Sequence, residues 1–216
     1  MKRFFLCLSF LLLIHGFAQA QFSVGLNATY HTFFGKMSDF PTGDVDDFPA
    51  MIGGELRGMY GLGYKTAMKL GLMYRTTGEN TYMYKSPATV TDMGADLKAY
   101  YYLLGSFNAS NAALYTFAGV SGHSFKMTWQ RDHIESSVPP SDQVYFDDKN
   151  VLRLHGNLGL GVEFALGSVY WFTEGQVAFL MNHFVNGTTI KTVPQRDFWS
   201  VSMGIRLPFG ALSPPW

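Results

Sequence analysis

The feature that most restricts this chain is a strict two-residue alternation of apolar and polar side chains, recurring in segments of about ten residues. From Leu152 to Leu166 it is clearest. Leu152, Leu154, Leu158, Leu160, Val162, Phe164 and Leu166 share one parity, and Arg153, His155, Asn157, Gly159, Gly161, Glu163 and Ala165 share the other. A helix would scatter these residues around its circumference, whereas a strand sends them to opposite faces. The final segment sets Trp199, Val201, Met203, Ile205, Leu207 and Phe209 against Ser200, Ser202, Gly204, Arg206 and Pro208. Five further segments behave alike, beginning near Phe22, Ile52, Lys65, Asp96 and Val169. The segment from Leu114 to Met127 is ambiguous, because Tyr115 and Phe117 share a parity with Ser121 and His123.

These eight segments are joined by links that alternate in length. Links around Gly61-Leu62-Gly63, from Asn108 to Ala112 and at Gly167-Ser168 are short. Those from Gly35 to Pro49, Gly78 to Asp92, Thr128 to Asn150 and His183 to Arg196 are long. Short turns on one side and long loops on the other are the habit of an up-and-down membrane barrel with both termini on the turn side. A strand of about twelve residues, tilted by about 45°, spans roughly 28 Å against an apolar band of about 25 Å. Outward aromatics fall at the segment ends: Phe22, Tyr60, Trp171 and Phe209 on the turn side, Phe34, Tyr74 and Trp199 on the loop side.

The opening residues set the compartment. Lys2 and Arg3 precede an apolar run from Phe4 to Ile14, and Ala18-Gln19-Ala20 supplies a small-x-small cleavage pattern. The run is too short for a spanning helix, which needs about 20 residues. Residues 1–20 are therefore expected to be a cleaved signal peptide, and residues 21–216 one barrel domain beginning at Gln21. Cys7 is the only cysteine and leaves with the signal, so disulfide chemistry is excluded. Charged residues make up 15% of the chain against a usual share of about 25%, while aromatics reach 16%. Sixteen basic residues balance sixteen acidic ones, which gives no basic surface for nucleic acid. An apolar, charge-poor chain without a long apolar run has one membrane solution, a closed barrel. A soluble barrel of lipocalin type would place the same apolar face inside; the signal segment, the aromatic ends and the glycines on the charged face favour apolar-out.

An eight-stranded barrel has a lumen just wide enough for side chains to fill. Inward candidates are the bases Arg57, Lys65, Lys69, Arg75, Lys98, Arg153 and Arg206 and the acids Glu55, Asp96, Glu163 and Glu174. Buried charges must pair, so these are expected to form a plug of ion pairs rather than an open channel. No pattern marks a catalytic, cofactor or metal site. His155-Gly156-Asn157 lacks the serine of a lipid A deacylase stretch, and His123 and Ser124 are neighbours that point to opposite faces. His133, Ser136, Ser137 and Asp142 follow no palmitoyltransferase pattern. The loop carboxylates Asp39, Asp44, Asp46, Asp47, Asp142, Asp147 and Asp148 lack the glycine and distal Glu of an EF-hand loop and read as solvated. Asn27-Ala28-Thr29, Asn108-Ala109-Ser110 and Asn186-Gly187-Thr188 are chance matches to a glycosylation sequon.

In this arrangement the chain resembles small outer-membrane barrels, namely the outer membrane protein A type and the PorT-like barrels of Bacteroidota. The most specific stretch runs from Ser202 to Phe209, where Ser202, Gly204, Leu207 and Phe209 are similar to the final-strand signal read by the barrel assembly machinery. Pro208 and the continuation to Trp216 depart from that pattern. The resemblance implies a bacterial outer-membrane location with periplasmic termini and extracellular loops. Its implied surroundings are membrane lipids and lipopolysaccharide, and its implied partners the assembly machinery and other envelope proteins. A structural or surface-interaction role is expected. A PorT-like subunit of a secretion complex is the alternative, and a lipid A-modifying enzyme the second.

Overall fold

The computed structural model describes residues 21–34, 50–77, 81–83, 86–129, 149–184 and 197–209. Among them are nine strands and no helix: β1 Phe22–Phe33, β2 Met51–Gly61, β3 Thr66–Thr76, β4 Thr81–Met83, β5 Ser86–Leu104, β6 Ala112–Trp129, β7 Lys149–Leu166, β8 Val169–Phe184 and β9 Phe198–Phe209. All pairings are antiparallel. β3 pairs with β5, and β1 pairs with β9 from Phe22↔Phe209 to Phe33↔Phe198. These two pairings close eight strands into an up-and-down barrel, while β4 lies only against the start of β5.

The strands follow the alternation. Leu26, Leu70, Leu72, Leu158, Leu160 and Ile205 lie on the outer surface, each between 50% and 60% exposed, whereas Arg57 and Lys69 inside are 1% and 0% exposed. That polarity is the reverse of a soluble barrel and fits a hydrocarbon surround. Aromatic pairs stand at both ends of the apolar band, Phe22 with Phe209 and Phe164 with Trp171 near the short turns, and Tyr30 with Trp199 near the long links. Gly167 opens the two-residue turn between β7 and β8 at φ +64°, a backbone position favourable to glycine and suited to the twist of a tight hairpin.

The ambiguous segment takes one face throughout. On β6, Tyr115, Phe117, Ser121, His123 and Phe125 all point inward. Space for the first two comes from β7. A Cβ on Gly161 would lie 2.4 Å from the Tyr115 ring, and one on Gly159 would lie 2.2 Å from the Phe117 ring. Glycine on one strand thus makes room for an aromatic on the next, and hydrophobicity alone misreads such a strand.

The links at the open end are shorter than the sequence suggests. The stretch from Gly78 to Asp92, expected to be loop, holds β4 and the beginning of β5. Thr89, Val90 and Thr91 continue the ladder against Thr128, Met127 and Lys126, as β-branched residues do on a pleated surface. β7 likewise starts at Lys149 rather than Leu152. Residues 1–20, and with them the expected signal peptide, lie outside the described residues. So do all seven loop carboxylates named above, together with His133, Ser136, Ser137 and the Asn186 sequon.

An arginine at the middle of the outer face should be costly, and one at its rim should not. Leu158→Arg is expected to destabilise the barrel by about 2–4 kcal/mol and Leu166→Arg by about 0–1 kcal/mol. Reversible denaturant unfolding in phospholipid vesicles, followed by tryptophan fluorescence, measures both.

Candidate functional site

The lumen is the one place among the described residues where chemistry-bearing side chains converge, and it is organised in three tiers by strand register. At the turn end, β9 presents Arg206 to Glu163 on β7, with Nη2–Oε1 at 2.7 Å and Nε–Oε2 at 3.1 Å. The guanidinium also donates to Ser23 Oγ and Asn108 Oδ1, and it packs against the rings of Phe107 and Tyr170. Phe107, from the β5–β6 turn, is fully buried at this end.

The middle tier holds a second fork. Arg57 on β2 donates to both oxygens of Glu174 on β8, at 2.7 and 2.8 Å, and lies 4.1 Å over the Phe172 ring. Tyr100 and Tyr115 donate to the same carboxylate at 3.2 and 3.1 Å. Beside it, Lys69 bridges Glu55 and Asp96, Lys98 meets Asp96 at 2.8 Å, and Lys98 donates to Gln176 at 2.6 Å. Gly71 is required here, since a Cβ would come within 2.5 Å of Asp96 and 2.7 Å of Glu55. Three cations and three carboxylates share this tier, so it is neutral.

The loop-end tier is different in kind. Asp92 on β5 accepts from Arg75 at 3.1 Å and faces His123 Nδ1 at 3.0 Å. The Nε2 atom of His123 then meets Ser121 Oγ at 2.8 Å, and Asn157 Nδ2 donates to that hydroxyl at 2.9 Å. Donors and acceptors match along the whole chain when His123 carries its proton on Nδ1. Arg75 also reaches His31 Nδ1 at 2.8 Å, which leaves the His31 proton on Nε2. Phe198 sits at the centre, its ring centroid 4.0 Å from that of His31 and 5.0 Å from that of His155. Arg153, fully buried on β7 opposite His123, has no hydrogen-bond partner among the described residues at Nε, Nη1 or Nη2.

The sequence-predicted interior charges Glu55, Arg57, Lys69, Arg75, Asp96, Lys98, Arg153, Glu163, Glu174 and Arg206 are all buried in this lumen. Lys65 is not. It precedes the start of β3 by one residue, is exposed, and donates to the Gly105 carbonyl at 2.6 Å across the turn end. Parity fixes a side only while the strand lasts. Asp92 escapes a reading of the sequence, and so does the pairing of the Ser121 hydroxyl with His123. Asp92 has the parity of Asp96 and Lys98 but falls in a stretch that reads as loop; Ser121, two residues before His123, shares its face where Ser124 does not. Among the described residues no group of three or more His, Cys, Asp or Glu side chains is placed to hold a metal ion.

Ser121, His123 and Asp92 stand in the hydroxyl–imidazole–carboxylate order used by serine hydrolases. All three are 3% exposed or less and face the lumen, away from the lipid-facing surface on which an acyl-chain enzyme would work. Their geometry satisfies buried polar groups, which is sufficient reason for it.

No family model matches the chain, and no curated protein matches it in sequence. Its fold is that of small outer-membrane barrels. A major outer membrane protein of Thermus thermophilus is similar at TM-score 0.56 and 14% identity, over 88% of this chain and 99% of that one. Neisserial surface protein A is similar at TM-score 0.50 and 12% identity, over 87% and 97%. Ail, the attachment invasion locus protein of Yersinia pestis, gives 0.50 and 8%, over 88% and 97%.

Removing one half of the middle fork leaves a buried charge unpaired. Glu174→Gln is expected to cost about 3–5 kcal/mol, and Arg57→Met combined with Glu174→Gln to cost clearly less than the sum of the single changes. Denaturant unfolding of the four forms in one detergent closes this cycle.

Proposed function

We propose that this chain is an integral protein of a bacterial outer membrane, with periplasmic termini, extracellular loops and a structural or surface-interaction role, its lumen filled by a charged plug. One observation carries the reading: the barrel is apolar outside, and its two inner tiers of charge are buried and paired to neutrality inside. The alternation of short and long links supports the orientation. The small barrels it resembles in fold include proteins named for surface location and attachment.

The closing strand supports insertion by the assembly machinery. On β9, Leu207 and Phe209 face outward, and Gly204 lets β9 lie against β1, where a Cβ would come within 2.2 Å of the Leu26 carbonyl oxygen. Ser202, Gly204, Leu207 and Phe209 would then serve both as the signal and as the seam. Lipids and lipopolysaccharide surround the barrel in this reading, and envelope proteins are its partners at the loops. The role is not enzymatic, since the Ser121–His123–Asp92 relay is spent on filling the lumen.

In planar bilayers the refolded protein is expected to show no steady conductance comparable to that of a sugar-permeable porin; such a conductance would overturn the plug. A fluorophosphonate probe should leave the folded barrel unlabelled, and covalent labelling at Ser121 would replace this reading with a hydrolase.

A further inference from the structure

Charge in the lumen is balanced tier by tier until the loop end. Glu163 neutralises Arg206 at the turn end, and in the middle Glu55, Asp96 and Glu174 neutralise Arg57, Lys69 and Lys98. The loop-end tier has two guanidinium groups, Arg75 and Arg153, and one buried carboxylate among the described residues, Asp92. Asp92 is already engaged by Arg75 and His123. Arg153 is the remainder. Its side chain is fully buried, all three of its nitrogens lack a hydrogen-bond partner among the described residues, and it cannot shed its charge as a lysine can.

A guanidinium taken out of water without a counter-charge is among the costliest arrangements a protein can hold. Arg153 lies directly across the β6–β7 ladder from His123 and two residues before His155 on the same inward face, so imidazole groups border the same space. A planar fork of donors is complementary to an oxyanion, which accepts two parallel bonds from it.

We propose that the loop end of the lumen binds a small soluble oxyanion of the carboxylate, phosphate or sulfate class, with Arg153 as its principal ligand. The site is separate from the relay, which is satisfied without it, and it does not depend on the surface role proposed above. A singly charged anion seated there would bring the charge of the described lumen residues to zero, a doubly charged one would pass it by one, and either would leave the paired inner tiers undisturbed.

The test uses the refolded barrel in detergent free of phosphate and sulfate. Titration with inorganic phosphate, sulfate or acetate at constant ionic strength is followed by calorimetry and by thermal unfolding. Saturable one-to-one binding is expected, with a rise in unfolding temperature that follows occupancy. Arg153→Gln should weaken binding by about tenfold or more, the loss expected for a charge-assisted bidentate contact. Lys126→Gln, at an exposed cation near the same end of β6, should leave binding unchanged. Without added anion, Arg153→Gln should be at least as stable as the parent, because it removes an uncompensated charge. Three results would overturn the proposal. One is no saturable binding of any of the three anions. Another is equal stabilisation of parent and Arg153→Gln, the mark of general screening. The third is a loss of stability in Arg153→Gln without any anion effect, which would mean that a carboxylate of the chain itself already holds the arginine.

Discussion

The pairing of β1 with β9 is the interaction on which the remaining architecture depends. A sheet edge facing hydrocarbon leaves a row of backbone donors and acceptors with nothing to bond, each costing several kcal/mol. Twelve residue pairs, from Phe22↔Phe209 to Phe33↔Phe198, remove that edge. Once the ring is shut at eight strands its bore is fixed, and the inner side chains must fill a narrow cylinder. The outer side chains have no such constraint, which is why aliphatic residues of several shapes serve there.

A narrow lumen leaves little room for water to solvate charge, so electrostatics takes over from packing as the organiser. Both guanidinium forks, Arg57 on Glu174 and Arg206 on Glu163, join strands that are not neighbours in the barrel wall. Each braces the ring across its bore, which the backbone ladder cannot do. Burial of such pairs adds little net stability compared with an apolar filling. What they add is a definite arrangement, because a fork accepts one orientation of its carboxylate. Aromatic rings over the cations and glycines opposite the rings complete the filling.

How much of this can be read from the chain depends on whether a residue's fate is set by parity or by its neighbours across the barrel. Parity assigns Leu158, Glu163, Arg57 and Glu174 to the correct sides, because each lies well inside a strand. It fails at Lys65, where the strand has not yet begun, and at Asp92, where the strand is already under way before its expected start. Tyr115 and Phe117 defeat it for another reason. An aromatic points inward only if the facing strand has made room, and that information sits on Gly159 and Gly161, in the next strand along the chain. Which acid meets which base is likewise beyond reach, since Arg57 and Glu174 are 117 residues apart in sequence.

The two ends of the lumen follow different logic, and this bears on where the molecule can meet anything but lipid. At the turn end Phe107 and the Arg206–Glu163 fork form a lid from the wall itself, and passage would require breaking a bidentate pair inside a low-dielectric cylinder. At the loop end the filling is histidine, phenylalanine and one arginine in excess of the acids among the described residues, groups that accept company more readily than a closed fork does. On the proposed reading of a plugged lumen, exchange with the surroundings through the bore is confined to that end. A barrel filled this way presents a polar, positively biased cup at its loop end, where the described cations outnumber the buried carboxylates.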